Sequence, residues 1–272
     1  MQYTALSLRQ VQNLQYEMLV ELDELLRRHE IDYVLGGGTL LGAVRHQGFI
    51  PWDDDIDIMM LRGEYEHMLD IISEAELKPD RRLISNRDRS FARHYARYVR
   101  TDYRKRIEGF REDDCPWPGI DIFPIDFVPE DSREFRRQVK TIQRLRKLLL
   151  ISVTENGAGK TRMRSAIKSV VRPAVRRYGS YRIIEKIEKN AKKYDDGTSR
   201  EFIAGICGMY GLREKWKYAD YLPRMMLKFE SATFPAPKNY HIYLSNLYGD
   251  YMKLPPENKR KYPEGIVYAV SG

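Results

Sequence analysis

The amino-acid sequence predicts an α+β fold, in which a mixed β-sheet is flanked by helices. Residues 7–30 carry apolar side chains at helical spacing, and residues 53–60 alternate in the manner of a strand. Between them, residues 31–46 have the pattern of a short strand, a glycine turn and a helix. At 272 residues, the chain is long enough to bury one large core.

The first predicted element is an amphipathic helix from Ser7 to Glu30. Its apolar residues are Leu8, Val11, Leu14, Met18, Leu22, Leu25 and Leu26. They recur every three or four positions, as on the buried face of a helix. Ser7 and Gln10 have the spacing of a capping box, which marks a helix start. We expect this helix to pack against the sheet as a scaffold.

A glycine turn follows the predicted short strand Ile31–Leu35. Gly36–Gly38 break the strand, and a helix is predicted to begin at Thr39 and to run to Val44. Glycine lets backbone N–H groups approach a ligand closely, and a helix N-terminus carries partial positive charge. The turn is therefore a candidate phosphate-binding site, although three glycines alone are also typical of a tight turn.

The segment from Asp53 to Met60 combines acidic and apolar residues. It places carboxylates at Asp53, Asp54, Asp55 and Asp57, directly before an apolar run. Strand alternation predicts that Asp53, Asp55 and Asp57 project together and that Asp54 points away. Carboxylates held this close repel each other, and a hard cation such as Mg²⁺ or Mn²⁺ relieves the repulsion. A solvated Asp-rich loop is the alternative interpretation.

These segments together resemble a known family. Residues 36–60, GGGTLLGAVRHQGFIPWDDDIDIMM, resemble the glycine turn, helix, Ile-Pro-Trp lead-in and aspartate strand of the LicD family. This family includes the fukutin-related proteins and has a nucleotidyltransferase-like fold. Residues 119–126 resemble its second acidic strand, and residues 248–256 resemble its C-terminal signature. Residues 131–200 carry no diagnostic feature.

The resemblance implies a catalytic metal centre, with Mg²⁺ or Mn²⁺ as the cofactor. It assigns Asp55 and Asp57 of the Asp-hydrophobic-Asp motif as metal ligands, and Asp53 on the same face completes the set. It maps the third carboxylate of the superfamily to Asp121, with Asp126 as the competing candidate. Asp121 is either a further ligand or the base that deprotonates the acceptor hydroxyl, so the expected catalytic residues are Asp55, Asp57 and Asp121.

Candidate substrate-binding residues lie around the glycine turn and in the C-terminal signature. They are Gly37, Gly38, Thr39, Arg45, His46 and Lys253. Arg45 and His46 are placed to contact phosphate or acceptor, although surface cations are common. Residues 91–100 are predicted as a strand on which Arg97 or Arg100 faces either the nucleotide or solvent.

The resemblance also implies an activity. Such families transfer a phosphorylated alcohol, here first phosphocholine from CDP-choline, to a sugar hydroxyl of a glycan. The expected acceptors are cell-surface polymers or their lipid-linked precursors: teichoic acid, lipopolysaccharide or capsule. The alternatives are another CDP-linked alditol phosphate, such as ribitol or glycerol phosphate, and true nucleotidyl transfer from an NTP. A noncatalytic binding module is a further alternative.

The net charge of +8 is concentrated in residues 133–147 and 160–193. We predict one domain, with a core of residues 1–130 and 200–272, a basic helical insertion at 131–199, and C-terminal helical segments that wrap the core. The basic segment favours a solvated helical face or a surface for an anionic membrane or acceptor. No nucleic-acid-recognition motif accompanies the charge, so nucleic acid is not an expected partner.

Cysteine content and hydropathy bear on the compartment. Cys115 and Cys207 lie far apart without a CxxC pair, which argues against a disulfide framework and a zinc site. No signal-peptide pattern is present, and no apolar run reaches the roughly 20 residues that span a bilayer. We therefore expect a cytoplasmic protein. Peripheral contact with the inner face of the membrane is compatible with this expectation.

Overall fold

The computed structural model describes residues 2–108, 115–154, 162–195, 197, 200–263 and 265–271. The helices are α1 (Leu8–Arg28), α2 (Gly37–His46), α3 (Arg62–Ile71), α4 (Ser132–Val153), α5 (Arg162–Tyr178), α6 (Ser180–Ala191), α7 (Tyr218–Tyr221) and α8 (Tyr240–Tyr248). The strands are β1 (Gln2–Ala5), β2 (Val34–Leu35), β3 (Asp57–Leu61), β4 (Arg81–Ile84), β5 (Ala96–Arg100), β6 (Tyr103–Ile107), β7 (Gly119–Val128), β8 (Phe202–Ala204), β9 (Lys215–Lys217), β10 (Arg224–Phe229), β11 (Ala232–Pro237) and β12 (Gly265–Ser271).

The central sheet is mixed, so the predicted α+β class is confirmed. Its strand order is β2-β3-β7-β5-β4, and β8 and β9 extend it from the far half of β7. Strands β3 and β7 pair in parallel, whereas β2, β5 and β8 pair antiparallel with their neighbours. The parallel pairing sets Asp57 directly opposite Asp121. The sheet itself therefore joins the two acidic segments of the sequence.

Helix α1 forms as its apolar periodicity predicts. The Ser7 side chain accepts a hydrogen bond from Gln10 N–H, and the Gln10 side chain accepts one from Ser7 N–H, so the capping box is present. Met18, Leu22 and Leu26 are fully buried in the central core. Because that core includes the apolar residues of β3 and β7, this helix supports the strands that carry the acids.

Two boundaries near the acidic segment differ from prediction. Helix α2 begins at Gly37, two residues before Thr39, and its N-cap is Gly36. Strand β3 begins only at Asp57, because a turn in which Asp53 N–H bonds to Ile50 O precedes it. Residues 53–56 are therefore irregular, and strict strand alternation does not apply to Asp53, Asp54 and Asp55.

The basic middle of the chain is helical in the residues that the structure describes. Helices α4 and α6 contribute most of a second apolar cluster, together with Val128 of β7 and Ala204 of β8. This cluster lies beside the central core at the far end of β7. Residues 155–161, 196, 198 and 199 of the predicted insertion lie outside the described residues, and the division of the chain into core and insertion stays a prediction.

The C-terminal part contains more strand than predicted. In this part of the chain the α-helices are α7 and α8, whereas the strands β8 to β11 lie within residues 201–239, where helical segments were expected. Strands β10 and β11 form an antiparallel hairpin, in which Pro235 and Pro237 belong to β11. In the sequence these prolines suggest a loop, but an edge strand such as β11 can accommodate proline. Within the described ranges, no helix combines the length and apolar character that crossing a bilayer requires.

A buried ion pair connects β7 to helix α3. Asp126 is 0% exposed and accepts hydrogen bonds from Arg62 Nε at 2.7 Å and from Arg62 Nη2 at 3.0 Å. Attraction to Asp126 outweighs burial and raises the pKa of Arg62, so the guanidinium stays charged. The two oxygens of Asp126 are committed to this pair, and the structure therefore removes Asp126 as the competing third carboxylate.

Asp126→Asn is expected to destabilise the protein by about 3–5 kcal/mol, because it removes the buried partner of Arg62 and leaves that charge only the longer 3.5 Å contact with Glu66. Urea denaturation measures the free energy of unfolding. Asp70→Asn makes the same chemical change on the exposed surface of α3 and is expected to alter stability by about 0.5 kcal/mol or less. A loss below about 1 kcal/mol in Asp126→Asn would contradict the structural role of the pair.

Candidate active site

The acidic residues converge at the start of β3 and β7, beneath the glycine turn. Asp57 opens β3 opposite Asp121, and a Cβ atom placed at Gly37 would lie 3.0 Å from Asp57 Oδ2. At Gly38, a Cβ atom would lie 3.1 Å from Asp53 Oδ2. A larger residue at Gly37 would also be strained, since its φ is +43°. The absence of side chains in the turn is what lets it cover the carboxylates this closely.

A cleft of about 640 Å³ opens above these groups. The acidic and glycine residues that line it are Gly37, Gly38, Asp53, Asp55, Asp57, Asp121, Gly205, Gly208, Glu214 and Asp250. Its aromatic and basic walls include Trp52, Tyr95, Tyr210, Tyr243, Tyr248, Arg45, Lys253, Lys259, Arg260 and Lys261. The cleft thus combines a glycine turn, carboxylates, aromatic rings and cations in one space.

A second cavity of about 680 Å³ adjoins the cleft. The residues that line both spaces are Asp55, His94, Tyr95, Asp121, Arg146 and Met209. The second cavity is more basic, with Arg93, Arg97, Lys105, Arg106 and Lys147 in its wall. Asp55 and Asp121 are therefore reached from two sides.

The carboxylates hold their protons more tightly than isolated aspartates do. Burial and the neighbouring Asp55 charge raise the pKa of Asp53 to about 8. Burial, with Asp55 and Asp121 adding repulsion, raises the pKa of Asp57 well above its usual range. Although part of Asp55 faces the cleft opening, the surrounding protein and Asp54 raise its pKa as well. The group carries more negative charge than its surroundings compensate.

Two cations bind the edges of the acidic group. Arg97 Nε donates to Asp121 Oδ1 at 2.5 Å, and Lys105 Nζ lies 3.4 Å from Asp54 Oδ2. Alternation predicted that Asp54 points away from the other acids, but it does not. Asp53, Asp54 and Asp55 each place a carboxylate oxygen within 4.8 Å of the others. The irregular backbone before β3 explains the difference, and Lys105 balances the Asp54 charge.

The donor set suits a hard divalent cation. Asp53, Asp55, Asp57 and Asp121 offer carboxylate oxygens only, which magnesium and manganese prefer over zinc. Burial, with repulsion from neighbouring carboxylates, raises the pKa of Asp53, Asp55 and Asp57, as expected for acids whose charge is not fully compensated. A bound cation would relieve this repulsion. The predicted ligand set is thus chemically consistent with Mg²⁺ or Mn²⁺.

The structure separates the predicted substrate-binding residues into two groups. Gly37, Gly38, Arg45 and Lys253 line the cleft. Thr39 is not among the described lining residues, because α2 begins before it and its hydroxyl accepts a hydrogen bond from Asp57 N–H at 2.8 Å.

His46 also lies outside the described lining. It accepts a hydrogen bond from Arg45 Nε and contacts Trp52 edge-on. Of the two arginines predicted on the strand of residues 91–100, Arg97 meets Asp121, whereas Arg100 pairs with Asp102 and Glu17 away from the cleft.

Several residues of the site carry no motif in the sequence. His94, Arg146, Met209, Tyr210 and Glu214 come from the approach to β5, from α4 and from the turn before β9. Arg146 holds this turn by donating to Gly208 O at 2.6 Å. Only the basic character of α4 and the glycines at 205, 208 and 211 are visible as local signals.

Comparisons with known proteins show which family the chain belongs to. The family model described as "LicD/FKTN/FKRP, nucleotidyltransferase domain" matches residues 30–147, which include both acidic segments. The chain is also 32% identical to the lipopolysaccharide cholinephosphotransferase LicD of Haemophilus influenzae, over 94% of this chain and 95% of that protein. The chain belongs to the LicD family.

The LicD relationship extends through the middle of the chain. An alignment over 94% of the chain takes in most of residues 131–199, where the sequence alone shows no diagnostic feature. Shorter matches occur in uncharacterized proteins of Rickettsia prowazekii and Rickettsia typhi. Both are 44% identical, over 22% of this chain and over 23% and 19% of those proteins, respectively.

His94, at the junction of the two cavities, is expected to make stability depend on pH. Burial and Arg146 lower its pKa to about 3, and Nε2 contacts Cys207 O at 3.2 Å. The unfolded chain binds this proton near pH 6.5, so the stabilisation is complete above pH 6.5 and is lost as the pH falls towards 3.

We therefore expect the free energy of unfolding to fall between pH 6.5 and pH 4 by more in the unmodified chain than in His94→Gln. The difference between the two losses is expected to reach up to roughly 3 kcal/mol. Glutamine keeps a donor for Cys207 O but does not titrate. Urea denaturation at a series of pH values measures both slopes. Parallel profiles for the two proteins would contradict the assignment of a buried neutral imidazole.

Proposed function

We propose that this LicD-type phosphotransferase moves phosphocholine from CDP-choline to a sugar hydroxyl of a cell-surface glycan. The observation that carries the proposal is the meeting of two cavities at Asp55 and Asp121, beside the glycine turn. The name of the Haemophilus relative supports choline as the alcohol and lipopolysaccharide as the acceptor class. The proposed transfer needs a donor and an acceptor on opposite sides of one phosphorus atom, and two adjoining cavities supply such sides.

Asp53, Asp55, Asp57 and Asp121 would hold Mg²⁺ or Mn²⁺ in this proposal. A bound divalent cation would neutralise negative charge on the diphosphate oxygens of the donor. Arg97 orients Asp121 through its ion pair, and Thr39 positions Asp57 through the backbone of β3. Lys105 keeps Asp54 engaged at the edge of the group.

The cleft with the glycine turn would take the donor. Backbone N–H groups at the start of α2 are suited to phosphate, since helix N-termini attract anions. Arg45 lines the same cleft and is anchored by donating to Tyr251 O at 2.7 Å. Lys253 and Arg260 add positive charge to the lining of this cleft, and Arg260 stacks over Trp52 at 4.5 Å.

The more basic cavity would take the acceptor. A sugar hydroxyl oxygen attacks the phosphorus that carries choline, the bond from this phosphorus to the bridging oxygen of CMP breaks, and CMP leaves with the bond electrons. The hydroxyl proton passes to a base, for which Asp121 is the candidate if it does not serve as a ligand. Arg146 and Lys147 place positive charge along this path, which favours an acceptor that carries phosphate or carboxylate.

The proposal also locates the reaction. A CDP-linked donor places it in the cytoplasm, and the basic helices α4 to α6 offer a surface for the anionic inner face of the membrane or for a lipid-linked glycan. Residues 132–153, 162–178 and 180–191 are helical, which is consistent with such a surface.

Asp57→Asn is expected to reduce CMP release by at least about a thousandfold, because it removes a central carboxylate of the cation site. The variant is also expected to keep or to raise its thermal unfolding midpoint, since asparagine ends the repulsion with Asp55 and Asp121. Asp70→Asn serves as the matched surface control with full activity. A fully active Asp57→Asn protein would contradict the assignment of this carboxylate.

The donor is tested by incubating the purified chain with Mg²⁺ and CDP-choline, CDP-ribitol, CDP-glycerol or CTP. We expect CMP release from CDP-choline to exceed that from the other CDP-alcohols, and to rise when purified lipopolysaccharide is added as acceptor. Chelation by EDTA is expected to abolish release, and Mg²⁺ to restore it. Pyrophosphate release from CTP, or preference for a CDP-alditol, would replace the proposed function by one of its alternatives.

A further inference from the structure

One wall of the donor cleft consists of apolar and aromatic side chains, which phosphate binding does not require. The turn between β8 and β9 presents Met209 and Tyr210 to the cleft, with exposed fractions of 73% and 38%. What distinguishes these two exposed side chains from others on the surface is that they line the cleft that holds the acids. Tyr248 of α8 completes the wall, with its ring centroid 5.2 Å from that of Tyr210 in an edge-on arrangement.

The wall stands beside the place where phosphates would lie. The Tyr248 hydroxyl is 3.9 Å from the position of a Cβ atom at Gly37, and the same position is 3.0 Å from Asp57 Oδ2. The Tyr248 hydroxyl is also hydrogen-bonded to that of Tyr210, so the two rings are held together. A group joined to a bound phosphate by a two-carbon linker can therefore reach these rings.

A buried carboxylate lies beneath the wall. Glu214 is 3% exposed, and its Oε1 accepts a hydrogen bond from Tyr210 N–H at 3.2 Å. Its carboxylate also fills the space at Gly208, where a Cβ atom would lie 2.2 Å from Oε1. The positive charge of Arg146 acts on the Glu214 carboxylate, but the Arg146 guanidinium donates its hydrogen bond to Gly208 O and not to this carboxylate. Burial raises the pKa of Glu214 to about 7, as expected for a carboxylate that lacks a close counter-ion.

A quaternary ammonium group matches this combination. It carries a positive charge but has no N–H to donate, so water and hydrogen-bond acceptors hold it less well than aromatic faces do. The thioether of Met209 adds a polarisable apolar contact for methyl groups. A buried carboxylate supplies the opposite charge without competing for hydrogen bonds.

We propose that Met209, Tyr210 and Tyr248, with the Glu214 carboxylate beneath them, form the subsite for the quaternary ammonium group of the donor alcohol. The inference rests on the proposed function and adds to it the residues that select choline.

The test compares CDP-choline with CDP, which has the same nucleotide and diphosphate but lacks the alcohol. Tyr210→Leu is expected to lower kcat/KM for CDP-choline about tenfold and to leave the inhibition constant of CDP within about twofold. Tyr210→Phe keeps the ring and is expected to retain most of the activity. Tyr3→Leu, which alters an exposed tyrosine on β1, is the matched control.

Glu214→Gln separates charge from structure, because glutamine preserves the acceptor for Tyr210 N–H. At pH 8 we expect a loss of about threefold to tenfold with CDP-choline, again without change in CDP inhibition. Thermal unfolding of each variant verifies the fold. Equal changes for CDP-choline and CDP, or no change in either, would overturn the subsite and leave the proposed function standing. Absence of CMP release from CDP-choline in the unmodified chain would overturn the proposed function, and the subsite with it.

Discussion

Repulsion among carboxylates is the constraint on which the rest of this site depends. Asp57 and Asp121 meet because β3 and β7 run in parallel and in register, while Asp53 and Asp55 approach from the irregular segment before β3. Burial strengthens the repulsion. Arg97 pairs with Asp121 and Lys105 with Asp54, so the two cations offset part of it. The apolar packing of α1 and of the central core keeps the strands in place against this force. The protein thus holds several carboxylates close together that its own cations neutralise only in part.

The two aspartates of β7 show how the same residue type has different roles. Asp126 has both oxygens engaged by Arg62 and lies in the interior, whereas Asp121 meets one arginine at the junction of two cavities. Five positions apart, they lie on opposite sides of the sheet, as an odd spacing in a strand requires. The first is a structural acid, and the second is available to a ligand.

Local pattern predicted much of the fold. The apolar period of α1, its capping box and the order of strand, glycine turn and helix were all readable, because each depends on neighbours in sequence. Predictions failed where a turn or a strand pairing without a clear sequence signal decided the outcome. The turn at Ile50–Asp53 delays the start of β3 to Asp57, and the pairing of β10 with β11 overrides the loop character of Pro235 and Pro237. His94, Arg146 and Glu214 reach the site through folding alone, and no spacing in the sequence joins them to Asp57.

The separate origins of the two cavities have an evolutionary consequence. The acids stand on β3 and β7 in the central core, whereas Arg146 and Lys147 come from α4, which packs in the second apolar cluster with α6. Lys147 lines the second cavity only, so substitutions there can alter the charge of that cavity without moving the strands that hold the acids. Under the proposed function, a lineage that meets a new surface polymer can change its acceptor by substitution at such positions, while the ancestral chemistry is inherited intact.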